Sequence, residues 1–223
     1  RRYMEIADNV KKFRERLLKA CFECGRREED ITVVPATKCV STETVLNLPK
    51  FGFTEAGENR VQEFTRKYRE NSGLNWHIIG ALQTNKVKYV VGKARMIQSV
   101  DRESLAREIS RLSVKKGVVT DILQEVNIGA EQNKSGVPPE QAEELLANIS
   151  SLPGIRIKGL MSVPPVGAAA KLYEDMYKLF CDLKNKYKGM DTLSMGMSGD
   201  FELAVKCGAT MVRPGRVLFG ERV

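Results

Sequence analysis

Apolar positions along the chain alternate between two rhythms. Over 3–24, Ile6, Val10, Phe13, Leu17 and Cys21 fall at spacings of four and three, one face of an amphipathic helix ended by Gly25. Ile31, Val33, Val34 and Ala36 then form a run too short for a helix and rich in β-branched side chains, which predicts a strand. Pro35 is awkward there, because proline has no N–H to give to a ladder. Ser41 or Thr42 caps a helix over roughly 42–49, a strand covers 52–56, and Gly57-Glu-Asn59 turns into a helix reaching about 68. A third strand spans 75–80, and Thr84 opens a helix. A fourth strand spans 95–100, capped by Asp101 into a helix whose Leu105, Ile109 and Leu112 face inward. The fifth strand, 120–128, is followed by a loop over 129–136 and a helix begun by Pro138 and Pro139. A sixth strand over 155–163 precedes a long helix marked by Leu172, Met176, Leu179, Leu183 and Tyr187. The seventh strand (192–195), a short helix (199–207) and the eighth strand (210–213) complete the pattern.

Eight strand signals alternating with helices, without a linker, predict one α/β domain over 1–223. It is a (β/α)₈ TIM barrel with an extra N-terminal helix. A doubly wound open sheet would require several of the short strands to be loops. No internal repeat or low-complexity segment interrupts the alternation.

Composition narrows the function. No apolar run is long enough to cross a bilayer, so no membrane partner is expected. Five cysteines, an odd number in a chain of 223, argue against a disulfide framework. Cys21 and Cys24 lack a second pair of zinc ligands, and a reduced, cytoplasmic protein is expected. The formal charge of +8 raises the question of nucleic acid. The basic residues are interleaved with acids along helix faces, however, as solvated helix surfaces usually are. No nucleic-acid partner is expected; a small phosphorylated ligand suits the charge equally well.

Lys38 ends the first strand at the lip of a strand-to-helix turn, where parallel α/β folds do their chemistry. A partly desolvated lysine there can form a Schiff base with an aldehyde, although a lysine that only covers apolar surface would look the same. The turns after strands seven and eight read Gly196-Met-Ser198-Gly199 and Arg213-Pro-Gly215-Arg216. Gly196, Gly199 and Gly215 allow backbone N–H groups close to an anion, and Ser198 adds a hydroxyl. Asp200 and Glu202, in the next helical turn, must point away from a phosphate. A ligand bearing both an aldehyde and a phosphate, pyridoxal 5'-phosphate, uses both halves of such a site.

These residues resemble the pyridoxal phosphate homeostasis family, which is similar to the N-terminal barrel of alanine racemase and to fold type III pyridoxal phosphate proteins. The resemblance runs nearly end to end. It includes Ala36-Thr-Lys38, Gly57-Glu-Asn-Arg-Val-Gln-Glu63, Trp76-His-Ile-Ile-Gly-Ala-Leu-Gln83 with Asn85-Lys86, Gly159-Leu-Met161, Ser194-Met-Gly-Met-Ser198, and Val212-Arg-Pro-Gly215 through Phe219-Gly220. It implies that Lys38 carries the cofactor as an internal aldimine and that Ser198, Gly215 and the Arg216 backbone hold the phosphate. By analogy with the racemase barrel it also implies that Arg213 faces the pyridine nitrogen. Pro214 replaces the aliphatic residue usual there, and Pro35 is also unusual; neither removes a reacting group.

With Gly199, Asn59 and His77 complete the expected cofactor-binding set. Asn59 follows a strand end, where an Asx-type helix entry explains it equally well. His77, the single histidine, also reads as a hydrogen-bonded core residue. Lys86 and Lys134 could make the barrel mouth positive, but the surface-lysine reading is preferred, and Met161, Met195 and Met197 read as packing. The expected function is binding, buffering and supply of pyridoxal phosphate by a monomer, with apo-enzymes that use the cofactor as partners and without turnover. An amino-acid racemase is the alternative, weakened because two-base racemisation needs a second acid/base that in the racemases comes from a C-terminal β-domain.

Overall fold

The computed structural model of the protein describes residues 2–220. All eight expected strands are present and parallel: β1 (Thr32–Val33), β2 (Glu55–Glu58), β3 (Asn75–Ile78), β4 (Met96–Val100), β5 (Thr120–Glu125), β6 (Ile155–Met161), β7 (Thr192–Ser194) and β8 (Met211–Val212). They are ordered β1-β8-β7-β6-β5-β4-β3-β2. An isolated parallel bridge between Ala36 and Gly57 closes the seam from β1 to β2. The open-sheet alternative is therefore excluded, and the fold is a nearly closed (β/α)₈ barrel.

Pro35 works at this seam, and Pro214 at the neighbouring junction of the first strand with β8, each through its carbonyl. The Gly57 N–H donates to Pro35 O at 2.9 Å, and the Ala36 N–H donates to Pro214 O at 2.7 Å. Along the first strand the N–H groups of Thr32, Val34 and Ala36 all face the β8 side. The N–H that Pro35 lacks belongs to the other edge, where the ladder is too short to need it.

The helices are α1 (Arg2–Glu23), α2 (Thr42–Leu46), α3 (Val61–Lys67), α4 (Glu103–Lys116), α5 (Ala142–Ile149), α6 (Ala170–Lys186), α7 (Phe201–Lys206) and α8 (Arg216–Phe219). The extra helix α1 lies against α7 and α8. It buries the expected stripe, and the rings of Phe13 and Phe201 meet at 4.8 Å. Most of the core lies between helices and sheet. A second apolar group, Val34, Met96, Leu123, Met161 and Met211, comes from the strands themselves and fills the barrel interior. β5, packed on both faces, is buried along its whole length.

Several boundaries differ from those expected, each for a local reason. β2 runs to Glu58, so Gly57 and Glu58 belong to the strand and only Asn59 begins the turn. The segment from Thr84 is a 3₁₀ helix to Tyr89. Asp101 does not cap α4; its carboxylate accepts from the Gly136 N–H at 3.1 Å across the barrel rim. In α6 the buried stripe is Tyr173, Met176, Phe180 and Leu183, rotated from the leucine-rich one, because the two aromatic rings bury more apolar surface. Gly159 has φ +154°, and a Cβ there would lie 1.7 Å from the Thr192 carbonyl oxygen; this is where the β5–β6 register shifts. All five cysteines are free, and no helix among the described residues is long and apolar enough to cross a membrane.

Candidate functional site

Two expected site residues, Lys38 and Asn59, stand where strands deliver their C-terminal ends. Lys38 is half-buried, two residues beyond the Ala36–Pro214 hydrogen bond. The next residue, Cys39, has φ +61°, so the chain reverses immediately after the lysine. Asn59 follows β2 directly. It does not cap α3, whose N-cap residue is Arg60 with no side-chain bond to the first turn.

The turns after β7 and β8 meet at a cavity of about 430 Å³ lined by Ser198, Gly199, Gly215 and Arg216, with Met197 and Lys134 beside them. The Ser198 hydroxyl oxygen accepts from the N–H groups of Gly215 (3.0 Å) and Val217 (3.1 Å), holding the start of α8 from a neighbouring turn. Both lone pairs of that oxygen are then engaged, which leaves its proton to be donated elsewhere. Among the described residues, the backbone N–H groups of Gly199 and Arg216 bond no protein acceptor. One O–H and two N–H donors therefore belong to residues lining one cavity that Lys134, and not Lys38, also lines, a donor set suited to an oxyanion.

The two nearby acids are handled differently. Glu202 turns away and pairs with Arg16 on α1. Asp200 remains at the cavity, but its carboxylate accepts from the Met197 N–H at 2.6 Å and from the Tyr173 hydroxyl. Burial first, and then Asp200, push the Tyr173 hydroxyl above its ordinary pKa, so it remains a donor to that carboxylate. The glycines also divide. Gly196 has φ +99°, and a Cβ there would sit 2.6 Å from the Ala204 Cβ, so glycine is needed for packing on α7. Gly199 faces open space, as a residue beside a ligand cavity does.

Arg213 and His77 belong to a chain of polar side chains inside the barrel. Glu55 Oε2 lies 3.1 Å from His77 Nε2, and His77 Nδ1 lies 2.9 Å from Gln98 Nε2. Gln98 Oε1 accepts from the Ser194 hydroxyl at 2.6 Å, and Ser194 Oγ accepts from Arg213 Nη1 at 2.6 Å. Arg213 Nη2 reaches Ser162 O at 2.9 Å. The chain climbs from the first residue of β2 to the end of β8. His77 thus sits within the barrel and meets the mouth only through Gln98, Ser194 and Arg213. Burial lowers the Arg213 pKa to about 10, against the pull of Glu125 and Asp200, so the group remains cationic at neutral pH. Burial, with Asp101 adding to it, pushes Glu125 up to about 7 despite Arg213.

Two features were missed in the sequence. Lys134, read as a surface lysine, lines the cavity and pairs with Glu131 at 2.6 Å; its position in the loop after β5, at the same barrel end, was the available signal. Lys67 in α3 is fully buried between Glu58 and Glu63; the i,i+4 spacing of Glu63 and Lys67 was visible, their burial was not. Lys86 lies outside the cavity, in a separate surface groove with Arg66 and Tyr89. Of the methionines, Met161 and Met195 are buried as packing residues, whereas Met197 is exposed at the cavity.

Residues 5–223 match the family described as alanine racemase, N-terminal domain. The pyridoxal phosphate homeostasis protein of Aquifex aeolicus (strain VF5) is 42% identical over 226 residues, covering 98% of this chain and 99% of that protein. A structure of an unknown protein from Bifidobacterium adolescentis superposes with a TM-score of 0.90 at 30% identity, over 98% of this chain and 96% of that one. PipY of Synechococcus elongatus PCC7942, in a structure with PLP bound, superposes with a TM-score of 0.83 at 28% identity, over 96% of this chain and 100% of that one. The chain belongs to the alanine racemase N-terminal domain family and, within it, to the pyridoxal phosphate homeostasis proteins.

Proposed function

We propose that the protein binds pyridoxal 5'-phosphate, holds it covalently on Lys38, and serves to buffer and hand on the cofactor. The observation that carries this reading is the 2.7 Å bond between Ala36 N–H and Pro214 O. It joins the strand that delivers Lys38 to the turn that carries Gly215 and Arg216, so an amine and an oxyanion cradle share one barrel end. The cradle fits a phosphate: Ser198 has a hydroxyl proton to give, the Gly199 and Arg216 N–H groups have no protein acceptor among the described residues, and Lys134, paired with Glu131, lines the same cavity. The PLP-bound relative supports the same cofactor. When bound, the cofactor supplies an aldehyde that condenses with an amine, losing water.

Each residue of this chain then has a task. Lys38 offers the amine. Ser198, Gly199, Gly215 and Arg216 orient and retain the phosphate, and Asn59 flanks the mouth. Arg213, braced by Ser194 and the Ser162 carbonyl, holds its charge at pH 7. A fixed cation disfavours protonation of any ring nitrogen brought to it, which weakens the ring as an electron sink. The racemase barrel shares this arginine by the same analogy, so it weighs against general carbanion chemistry rather than against racemisation; the likeness to a pyridoxal phosphate homeostasis protein supports the carrier. The test is a turnover assay on the loaded protein with alanine and a panel of amino acids, alongside transfer of cofactor to an apo-enzyme. Transfer without substantial turnover is expected. Robust racemisation that disappears with Lys38→Ala would overturn the carrier reading in favour of an enzyme.

A further inference from the structure

The peptide groups on either side of Lys38 are both held by one buried ionic cluster. Lys67 is wholly buried, and its ammonium donates to the Thr37 carbonyl (2.8 Å), Glu58 Oε1 (2.6 Å) and Glu63 Oε2 (2.9 Å). An ammonium has three N–H donors, and all three are used. The Thr37 carbonyl belongs to the peptide entering Lys38. The peptide leaving it is held by the same cluster, since the Cys39 N–H donates to Glu63 Oε2 at 2.9 Å. The Thr37 hydroxyl lies 2.6 Å from Glu58 Oε1, which ties the end of β1 to the end of β2.

This degree of bracing is more than a surface turn needs. Cys39 holds a left-handed φ of +61° without being glycine, a conformation that persists where the surroundings over-determine it. The turn is closed by the Val40 N–H on the Thr37 carbonyl (3.0 Å), and the Glu63 carboxylate on the Cys39 N–H holds it further. Buried ion pairs are a poor source of stability, because desolvation offsets their attraction. What they hold in place is the better guide to their role. The carboxylates themselves differ: burial pushes Glu58 up, beyond what Lys67 and Thr37 reverse, whereas Lys67 and the Cys39 N–H pull Glu63 below its ordinary value against partial burial. Glu63 is thus kept as an anion, the form that accepts from Cys39.

We propose that Glu63 and Lys67, with Glu58, are positioning residues that clamp the two peptides flanking Lys38 and aim its side chain into the barrel mouth. The proposal rests on the reading of Lys38 as the residue that bonds the cofactor. Nothing in the cluster need touch the ligand. Displacing a reacting amine by a fraction of an ångström is enough to slow its reaction while a phosphate anchored on other loops stays bound.

The experiment compares the wild type with Glu63→Ala and Glu63→Gln, since Glu63 is partly exposed and its loss leaves fewer buried charges stranded than the loss of Lys67. Three quantities are read: hydrogen exchange at the Cys39 amide without ligand, the rate of borohydride-trappable attachment of pyridoxal 5'-phosphate, and affinity for pyridoxine 5'-phosphate, which has no aldehyde. Glu63→Ala should speed Cys39 exchange and slow attachment by about tenfold, with pyridoxine 5'-phosphate affinity within about twofold; Glu63→Gln, which keeps an acceptor oxygen, should recover most of the attachment rate. Unchanged Cys39 exchange overturns the clamp, whatever the cofactor does. Unchanged attachment, or a parallel loss of pyridoxine 5'-phosphate affinity, overturns its positioning role. A wild type with protected Cys39 and no adduct at Lys38 overturns the cofactor reading, and the positioning role with it.

Discussion

The Gly215 N–H donates to the Ser198 hydroxyl oxygen at 3.0 Å, so the turn after β7 holds the turn after β8 in place before any ligand arrives. A second bond from the Val217 N–H makes this oxygen the cap of α8. The serine thus has a structural task beside the proposed phosphate-binding one, and the two separate experimentally.

Ser198→Ala removes an oxyanion donor and leaves the N–H groups of Gly215 and Val217 without their acceptor. Hydrogen bonds to charged groups contribute about 1.5–3 kcal/mol, so affinity for pyridoxal 5'-phosphate should fall roughly tenfold or more. Affinity for pyridoxal, which lacks the phosphate, should fall much less. Gly215→Asp, which adds a like charge, should show the same selectivity. Calorimetric titration with both ligands checks this, and equal losses for the two would rule out the phosphate placement.

Gly196 and Gly199 should respond differently to a methyl group. Gly196→Ala combines a positive φ with a Cβ approach of 2.6 Å to Ala204, and should cost about 1–3 kcal/mol of stability. Gly199→Ala adds a methyl group to open space and should change stability by no more than about 0.5 kcal/mol. Urea unfolding of the two variants separates the residue that builds the turn from the one that borders the cavity.

Most of the architecture was legible because strand and helix periods differ and every apolar run was bounded by a turn. The seam was legible only in part: Pro35 looked like an obstacle until the pairing direction placed its missing N–H on the edge with little ladder. Lys38 and the glycine-rich turns stood out because their chemistry is local in sequence. The interior chain from Glu55 to Arg213 did not, since it joins residues from five strands that only barrel closure brings together. His77 illustrates the limit: the sequence placed it on a strand, and only the fold decides which groups its two nitrogens meet. The clamp around Lys67 was hidden for the same reason, because a lysine at i+4 from a glutamate reads as a solvated pair until its burial is known.

Glu125 predicts a pH signature. Its folded value of about 7 lies above the ordinary 4.5, so the native state holds this proton more tightly than the unfolded chain. The corresponding stability is fully present below about pH 4.5 and is lost as pH rises through about 7. The difference between the folded and ordinary values corresponds to about 3 kcal/mol. Glu125→Gln, which cannot titrate, should remove this fall. Urea unfolding at steps between pH 4.5 and 8 provides the comparison, and an identical slope in wild type and variant would contradict the assignment.

In the proposed function, the amine beyond β1 and the cradle at the ends of β7 and β8 hold one ligand. The most direct measurement loads the protein with pyridoxal 5'-phosphate, records its visible absorbance, reduces it with borohydride and maps the modified residue by peptide mass. A single adduct on Lys38, absent together with the absorbance band in Lys38→Ala, is the predicted result. An adduct on Lys134 or Lys86 in place of Lys38, or no adduct in a protein that still binds the ligand, would contradict it.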